Sequence, residues 1–553
     1  MKKKKELIFW VVAWLINVKS IFLDYCADSG YTFAMAQRLL NGDRLFREMW
    51  EPHQTSVFVM TPILKLFETV FQTRTGVVLF AHVVMTLSFF VLSVFLKKTL
   101  EKFTGNNVAI CAAILLFILR PKMVQLPDYS NLCIFFSVLT FIFLIRYLLV
   151  KPRIGTLIAA ALSLCLTVLV YPSCVLLWVP SILVLFLYSA KKWRDVLTFT
   201  GCCALCGALF AGYFVLSMGF GPWLETLSKI VHADTHSLER TYSGIAYFEE
   251  LLLGLLIMGI SWAVGLGISF LLEKAKLQSK PKTIFLQCIL VTFALCLARV
   301  LLPSVYHHQN VAFWAFGNIA IFAVILLGLT GVKLLQDQKK VIYVTGMLLS
   351  MGVLLSVGLL TNLSFITIVG YLHLACMVSF IPLTEFITKR SEGQYHAARI
   401  SCFPLYCCVF VIMFSQGINS LGNAENYVRK GPLFGVVTSL NACNEMKYGI
   451  TEWEENIKVA DQVLIIQEFG LDPIWYLVTD FGVGTYSVIN TPYYSEDMKE
   501  YWKAYPQKEP TVLAVPCYQG LESTGMPKWL YEKRENEYDL KYKGTYWNFY
   551  FKK

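Results

Sequence analysis

The sequence predicts a polytopic α-helical membrane protein of about thirteen transmembrane helices, followed by a small C-terminal α/β domain outside the membrane. Three observations predict it. The chain is 56% hydrophobic and 15% charged over 553 residues, with a mean hydropathy of +0.57, whereas soluble domains run about 45–50% apolar and about 25% charged. Its apolar residues come in blocks of roughly 16 to 22, long enough to cross a ~30 Å hydrocarbon core at ~1.5 Å per residue. Beyond residue 419 the blocks stop and short strand-like and polar helical patterns take over.

The blocks fall at 7–23, 77–96, 107–120, 132–150, 155–170, 174–189, 197–218, 250–272, 283–302, 311–330, 341–359, 364–385 and 400–418. The first begins after four lysines and has no small-residue cleavage site, so it reads as a spanning helix rather than a signal peptide. Lysine and arginine concentrate in alternate connections, at Lys2 to Lys5, Lys97/Lys98/Lys102, Lys151/Arg153, Lys191/Lys192/Arg194, Lys274 to Lys282, Lys333/Lys339/Lys340 and Lys389/Arg390/Arg399. The connections at 171–173, 303–310 and 360–363 have none. This bias places the N-terminus in the cytoplasm and, with an odd number of spans, the C-terminal domain outside a plasma membrane.

The expected division is therefore a transmembrane domain, 1–419, and an extracytoplasmic α/β domain, 420–553. The latter is net acidic, so the overall charge of +11 comes from the topogenic loops and gives no sign of nucleic-acid binding. Its pattern predicts strands at 462–467, 484–490, 511–515 and near 542–551, with helices over 472–480 and 495–505. It contains no Gly-rich phosphate loop or dinucleotide fingerprint. All cysteines but Cys26, Cys443 and Cys517 lie in or beside apolar blocks, where a thiol packs as a small hydrophobe, and no zinc-type spacing occurs.

Three outer segments are too long to be turns: 24–76, 219–249 and the C-terminal domain. The first holds two amphipathic stretches, 29–41 and 55–71, the second with Val57, Met60, Leu64, Phe67 and Phe71 at helical spacing, as expected of helices in the membrane interface. It reads Asp24-Tyr-Cys-Ala-Asp28-Ser-Gly up to Leu39-Leu-Asn-Gly42, then Arg47-Glu-Met-Trp-Glu-Pro-His53-Gln-Thr55. An acidic residue outside the first helix, an interfacial helix ending in Leu-Leu-x-Gly, and an aromatic-acidic segment with a histidine resemble the GT-C glycosyltransferases. That superfamily includes protein mannosyltransferases, oligosaccharyltransferases and lipid A glycosyltransferases. The layout of the whole chain matches the resemblance, and the specific motif spans about residues 24–71. Ser29 after Asp28 and Gln54-Thr55 after His53 depart from the common pattern, which leaves the acceptor open among envelope glycan, teichoic acid, lipid and protein.

The resemblance implies a GT-C-like fold, a polyprenyl-phosphate-linked sugar donor and a catalytic carboxylate in the first outer loop. An inverting glycosyl transfer needs a base for the acceptor hydroxyl, and Asp28 is the candidate, Asp24 a weaker one. Asp28 also suits a helix cap, with Gly42 closing the other end. In Arg120-Pro-Lys122 to Leu126-Pro-Asp128-Tyr129-Ser-Asn131, Arg120 and Lys122 suit phosphate oxygens. Asp128 resembles the acid that some family members use for a divalent metal, Mg or Mn here, and reads equally well as a helix cap. His232, Asp234 and His236 are weak metal candidates, and the loop around them suits a lid. Arg299, His307 and His308 are candidate ligands of the lipid phosphate, while His53 and Tyr129 are candidates for substrate contact. His82, His373 and the Asn17/Lys19 pair lie within spans and read as helix-to-helix hydrogen bonding or snorkelling. A transporter or flippase, or a non-catalytic envelope assembly protein, are the competing readings. The absence of an internal repeat counts against the first of these.

Overall fold

In the computed structural model the described residues are 2–23, 27–119, 125–231, 331–360, 365–391, 426–466, 473–489, 495–518, 521–522 and 526–553, with isolated positions between 249 and 329. The chain is mostly helical, with a small mixed sheet near its C-terminal end.

The membrane part begins with α1 (Lys2–Phe22), and the first outer segment supplies α2 (Ala27–Leu40) and α3 (Val57–Phe71). Then follow α4 (Val77–Thr104), α5 (Asn106–Ile118), α6 (Tyr129–Ile145), α7 (Ile154–Val170), α8 (Trp178–Tyr188), α9 (Lys192–Met218) and α10 (Phe220–Val231). Two more are α11 (Asp337–Leu360) and α12 (His373–Ser391). Among the described residues four helices are long and apolar enough to cross a membrane, Val77–Thr104, Tyr129–Val150, Lys192–Met218 and Asp337–Gly358. Shorter apolar helices cover 106–118, 154–170, 172–188 and 373–386. The spans expected at 250–272, 283–302, 311–330 and 400–418 lie wholly or mostly outside the described residues.

Two expected spans differ in detail. The block at 174–189 begins as a 3₁₀ stretch, Pro172–Leu177, that leads into α8, with Pro172 at the start where its missing N–H is tolerated. The 364–385 block splits into Phe365–Val369 and α12.

The C-terminal sheet has the order β2-β1-β3-β6-β5, with β4 paired to β3. Its strands are β1 (Gln462–Ile465), β2 (Gly482–Val483), β3 (Val512–Tyr518), β4 (Leu521–Glu522), β5 (Tyr538–Lys543) and β6 (Trp547–Lys552). The parallel β1 pairs on either side with β2 and β3, and β6 runs antiparallel between β3 and β5. Helices α13 (Ile450–Asn456), α14 (Ser495–Ala504) and α15 (Lys528–Glu537) accompany it, with a short helix at Leu440–Asn444 ahead of them.

Two expectations are corrected here. The final alternating run is a hairpin, turned at Gly544, rather than one strand. Residues 484–489 form no strand, because their backbone groups serve the first outer segment: Trp50 N–H donates to the Tyr486 carbonyl at 3.1 Å and Val488 N–H donates to Glu51 at 2.6 Å.

Burial divides the chain into two cores. One is the helical bundle, from Ala13 through Phe89, Phe117, Phe141 and Val353 to Ile381. The other joins the first outer segment, Tyr31, Phe33, Met49, Met60 and Leu64, to Trp453, Trp475, Leu513 and Phe549 of the C-terminal region. The buried face of α3 is Val57, Met60, Leu64 and Phe67 as its spacing predicts, while Phe71 is exposed together with Phe58, Leu66 and Val70. An amphipathic helix lying on this second core with an apolar outer face suits the membrane interface.

Candidate functional site

The first outer segment is held by a buried charge cluster. Arg38, near the end of α2, pairs with Asp43 at 2.8 Å and Glu51 at 3.6 Å, all three side chains essentially buried. It also donates to the carbonyls of Tyr486 and Glu48. Glu51 accepts from Val488 N–H and the Ser487 hydroxyl, and Lys508 pairs with Asp43. Burial opposes the charge on Arg38, but the carboxylates outweigh it and hold the guanidinium firmly protonated. Burial also pushes the Glu51 carboxyl above its ordinary value, against the pull of Arg38 and the hydrogen bonds it accepts. Gly42, at φ +98°, ends α2 in the left-handed conformation that favours glycine.

From this anchor the chain runs into the turn that carries His53. Gln54 accepts from Phe46 N–H at 2.9 Å, and the Thr55 hydroxyl donates to the Leu169 carbonyl at the end of α7. The turn is thus stapled to the first outer segment on one side and to the bundle on the other. The imidazole of His53 stacks on Tyr129, centroids 3.9 Å apart and planes 9° from parallel, with Tyr171 at 4.9 Å. Tyr171 in turn approaches Tyr371, whose hydroxyl meets that of Ser130 at 2.8 Å. Asp128 caps α6, accepting from Asn131 N–H at 2.8 Å. The ends of α6, α7 and α12 and the first outer segment therefore meet at His53, Asp128, Tyr129, Tyr171 and Tyr371.

A second anchor lies beside it in the bundle. Gln125, fully buried, donates to Asn17 at 2.9 Å and to Ser20 at 3.1 Å, while Asn17 donates to the Phe117 carbonyl at 2.6 Å. His82 of α4 contacts the Ile21 carbonyl at 2.8 Å. Asn17 and His82 thus do join helices as expected. This network fixes the end of α1, which leads to Asp24, and the end of the segment that carries Arg120 and Lys122.

Of the nominated residues, His53, Asp128 and Tyr129 are brought together. Asp28 stands second in α2, inside the first turn and not ahead of it as a cap would. Its side chain, and Asp24, Arg120, Lys122, Arg299, His307, His308, His232, Asp234 and His236, lie outside the described residues. No group of three or more His, Cys, Asp or Glu side chains suited to a metal occurs among the described residues. Asp128, the metal candidate among the described residues, serves as the cap of α6. Tyr171, Tyr371, Ser130, Gln125 and the Arg38–Glu51 pair were not nominated. Tyr171-Pro172 in a short outer connection was the available signal for the first of them.

No known protein family matches the chain, and no curated protein does. Solved structures resemble it distantly. The Archaeoglobus fulgidus oligosaccharyltransferase tethered with an acceptor peptide is 11% identical, spanning 100% of this chain and 74% of that one at a TM-score of 0.49. ArnT from Cupriavidus metallidurans bound to undecaprenyl phosphate is 11% identical, spanning 98% and 97% at 0.47. At this identity, with TM-scores under 0.5, the likeness does not carry their ligands over to this chain.

Proposed function

We propose that the chain is a plasma-membrane glycosyltransferase that moves a sugar from a polyprenyl-phosphate donor to an envelope glycan, lipid or protein outside the cytoplasm. The observation that supports it is the seating of the His53 turn on Tyr129 beside Asp128. Two segments nominated separately for substrate contact meet there at the mouth of an apolar bundle, where a lipid-linked donor would arrive. The N-terminus and basic loops lie in the cytoplasm in this reading, and residues 420–553 form the extracytoplasmic domain.

In the proposed reaction Asp28 takes the proton of the acceptor hydroxyl as its oxygen attacks the anomeric carbon. The bond from that carbon to the phosphate oxygen breaks, its electron pair leaves with the polyprenyl phosphate, and the configuration inverts. Arg120, Lys122, Arg299 and His307 or His308 stabilise the phosphate charge, and Asp24, His53 and Tyr129 contact the substrates.

The test incubates the purified protein in lipid nanodiscs with a labelled polyprenyl-phosphate sugar and fractionated envelope acceptors. Transfer of label with release of polyprenyl phosphate supports the reading. Movement of intact donor across a vesicle bilayer without transfer would support a flippase instead.

A further inference from the structure

We propose that residues 427–448 form a membrane-seated foot of the C-terminal region that binds the headgroups of anionic lipids. The depth of this segment follows from two helices. Antiparallel α1 and α4 are tied at one end by the Lys97–Glu6 ion pair at 2.8 Å, next to the lysines that open α1 and close α4. Counting from that pair, their opposite ends lie ~25–30 Å away at ~1.5 Å per residue, about one hydrocarbon thickness.

Both opposite ends are bonded to the 431–437 stretch. Val437 N–H donates to the Phe22 carbonyl at 2.7 Å, and Leu23 bridges Val437. Gly76 N–H donates to Gly431 at 3.1 Å and Val78 N–H to Pro432 at 3.3 Å. A Cβ at position 76 would lie 3.6 Å from the Phe434 ring. The stretch therefore sits where the two helices leave the hydrocarbon.

The side chains it presents suit that level. Tyr427, Phe434, Leu440 and Tyr448 are 46%, 45%, 57% and 49% exposed on this one stretch. Arg429 lies 5.0 Å over the Tyr427 ring and Lys447 4.5 Å over Tyr448. Lys430 is paired with Glu454, and Arg429 and Lys447 outnumber the remaining carboxylate of the stretch, Glu445, which accepts from the Trp475 indole. Aromatic rings at the headgroup level with cations beside them are the composition of a membrane interface facing anionic lipid.

The experiment places the photoreactive residue p-benzoylphenylalanine singly at positions 427, 434 and 440 of the full-length protein. Nanodiscs contain phosphatidylglycerol and phosphatidylcholine in equal amounts, and phospholipid adducts are measured by mass spectrometry. Position 540, also exposed, lies on β5 at the sheet edge opposite β2 and serves as the comparison. Adducts at two or more of the three positions, at least tenfold above position 540, are expected, with phosphatidylglycerol enriched about threefold. Arg429→Gln with Lys447→Gln should return the enrichment to unity while adducts persist. Adducts no more frequent than at position 540 would overturn the foot, and an enrichment unchanged in the double variant would overturn the anionic preference. Neither readout depends on glycosyl transfer.

Discussion

Near its outer end the helical bundle buries, besides the Asp128 cap, a network of neutral groups. Asn17, Ser20, Gln125 and Thr86 bond to each other or to a helix carbonyl. The outer unit made by the first segment and the C-terminal region buries charges instead, Arg38 with Asp43 and Glu51, and draws the backbone of residues 486–488 into their shell. A neutral amide network tolerates lipid nearby. A buried ion cluster stabilises only when every member is partnered, so the outer unit is the more brittle of the two.

Substitutions in each region sharpen the contrast. Arg38→Met leaves buried Glu51 without its cation and Asp43 with Lys508 alone, and should destabilise the outer unit by about 3–5 kcal/mol, read as a lowered melting temperature in detergent and early proteolysis of the C-terminal region. Asn17→Leu, its counterpart in the bundle, leaves Gln125 and the Phe117 carbonyl short of a partner and should cost about 1–3 kcal/mol. If Asn17→Leu proved the more damaging, the contrast would fail. Asp128→Ala removes the cap of α6 and should cost about 0.5–2 kcal/mol, with helix content otherwise kept.

The smallest effect concerns pH. The carboxyl of Glu51 titrates above its ordinary 4.5 in the folded protein, so the folded state holds its proton longer than the unfolded chain does. Its contribution to stability is therefore fullest below 4.5 and is lost as the pH rises through the folded value. Glu51→Gln, which keeps an acceptor for Val488 N–H, should flatten that decline in a series of melting curves. An unchanged slope would contradict the assignment.

The same contrast explains what the sequence made legible. An apolar block announces a helix by its own length, so α7 keeps its expected bounds to within a residue, while α4 starts and α9 stops where expected but each extends at its other end into charged residues that the apolar pattern leaves out. Asp128 ahead of Tyr129-Ser-Asn131 is a local cap signal, and it is a cap. The turn at Gly544 was missed because the alternating pattern continues through it on both sides. The stacking of His53 on Tyr129 and the grip of Arg38 on Tyr486 depend on residues far apart in the chain, and no local pattern encodes them. Glu51 lay inside the aromatic-acidic motif, yet only its burial beside Arg38 distinguishes it from Glu48, which pairs with the half-exposed Arg47.

Sugar transfer by Asp28→Asn, set against the native protein in matched nanodiscs with equal abundance and melting temperature, tests the central claim most directly. The account predicts a loss of at least a hundredfold in transfer with donor binding retained, as expected when a general base is removed. Transfer at the native rate by a well-folded Asp28→Asn would contradict it.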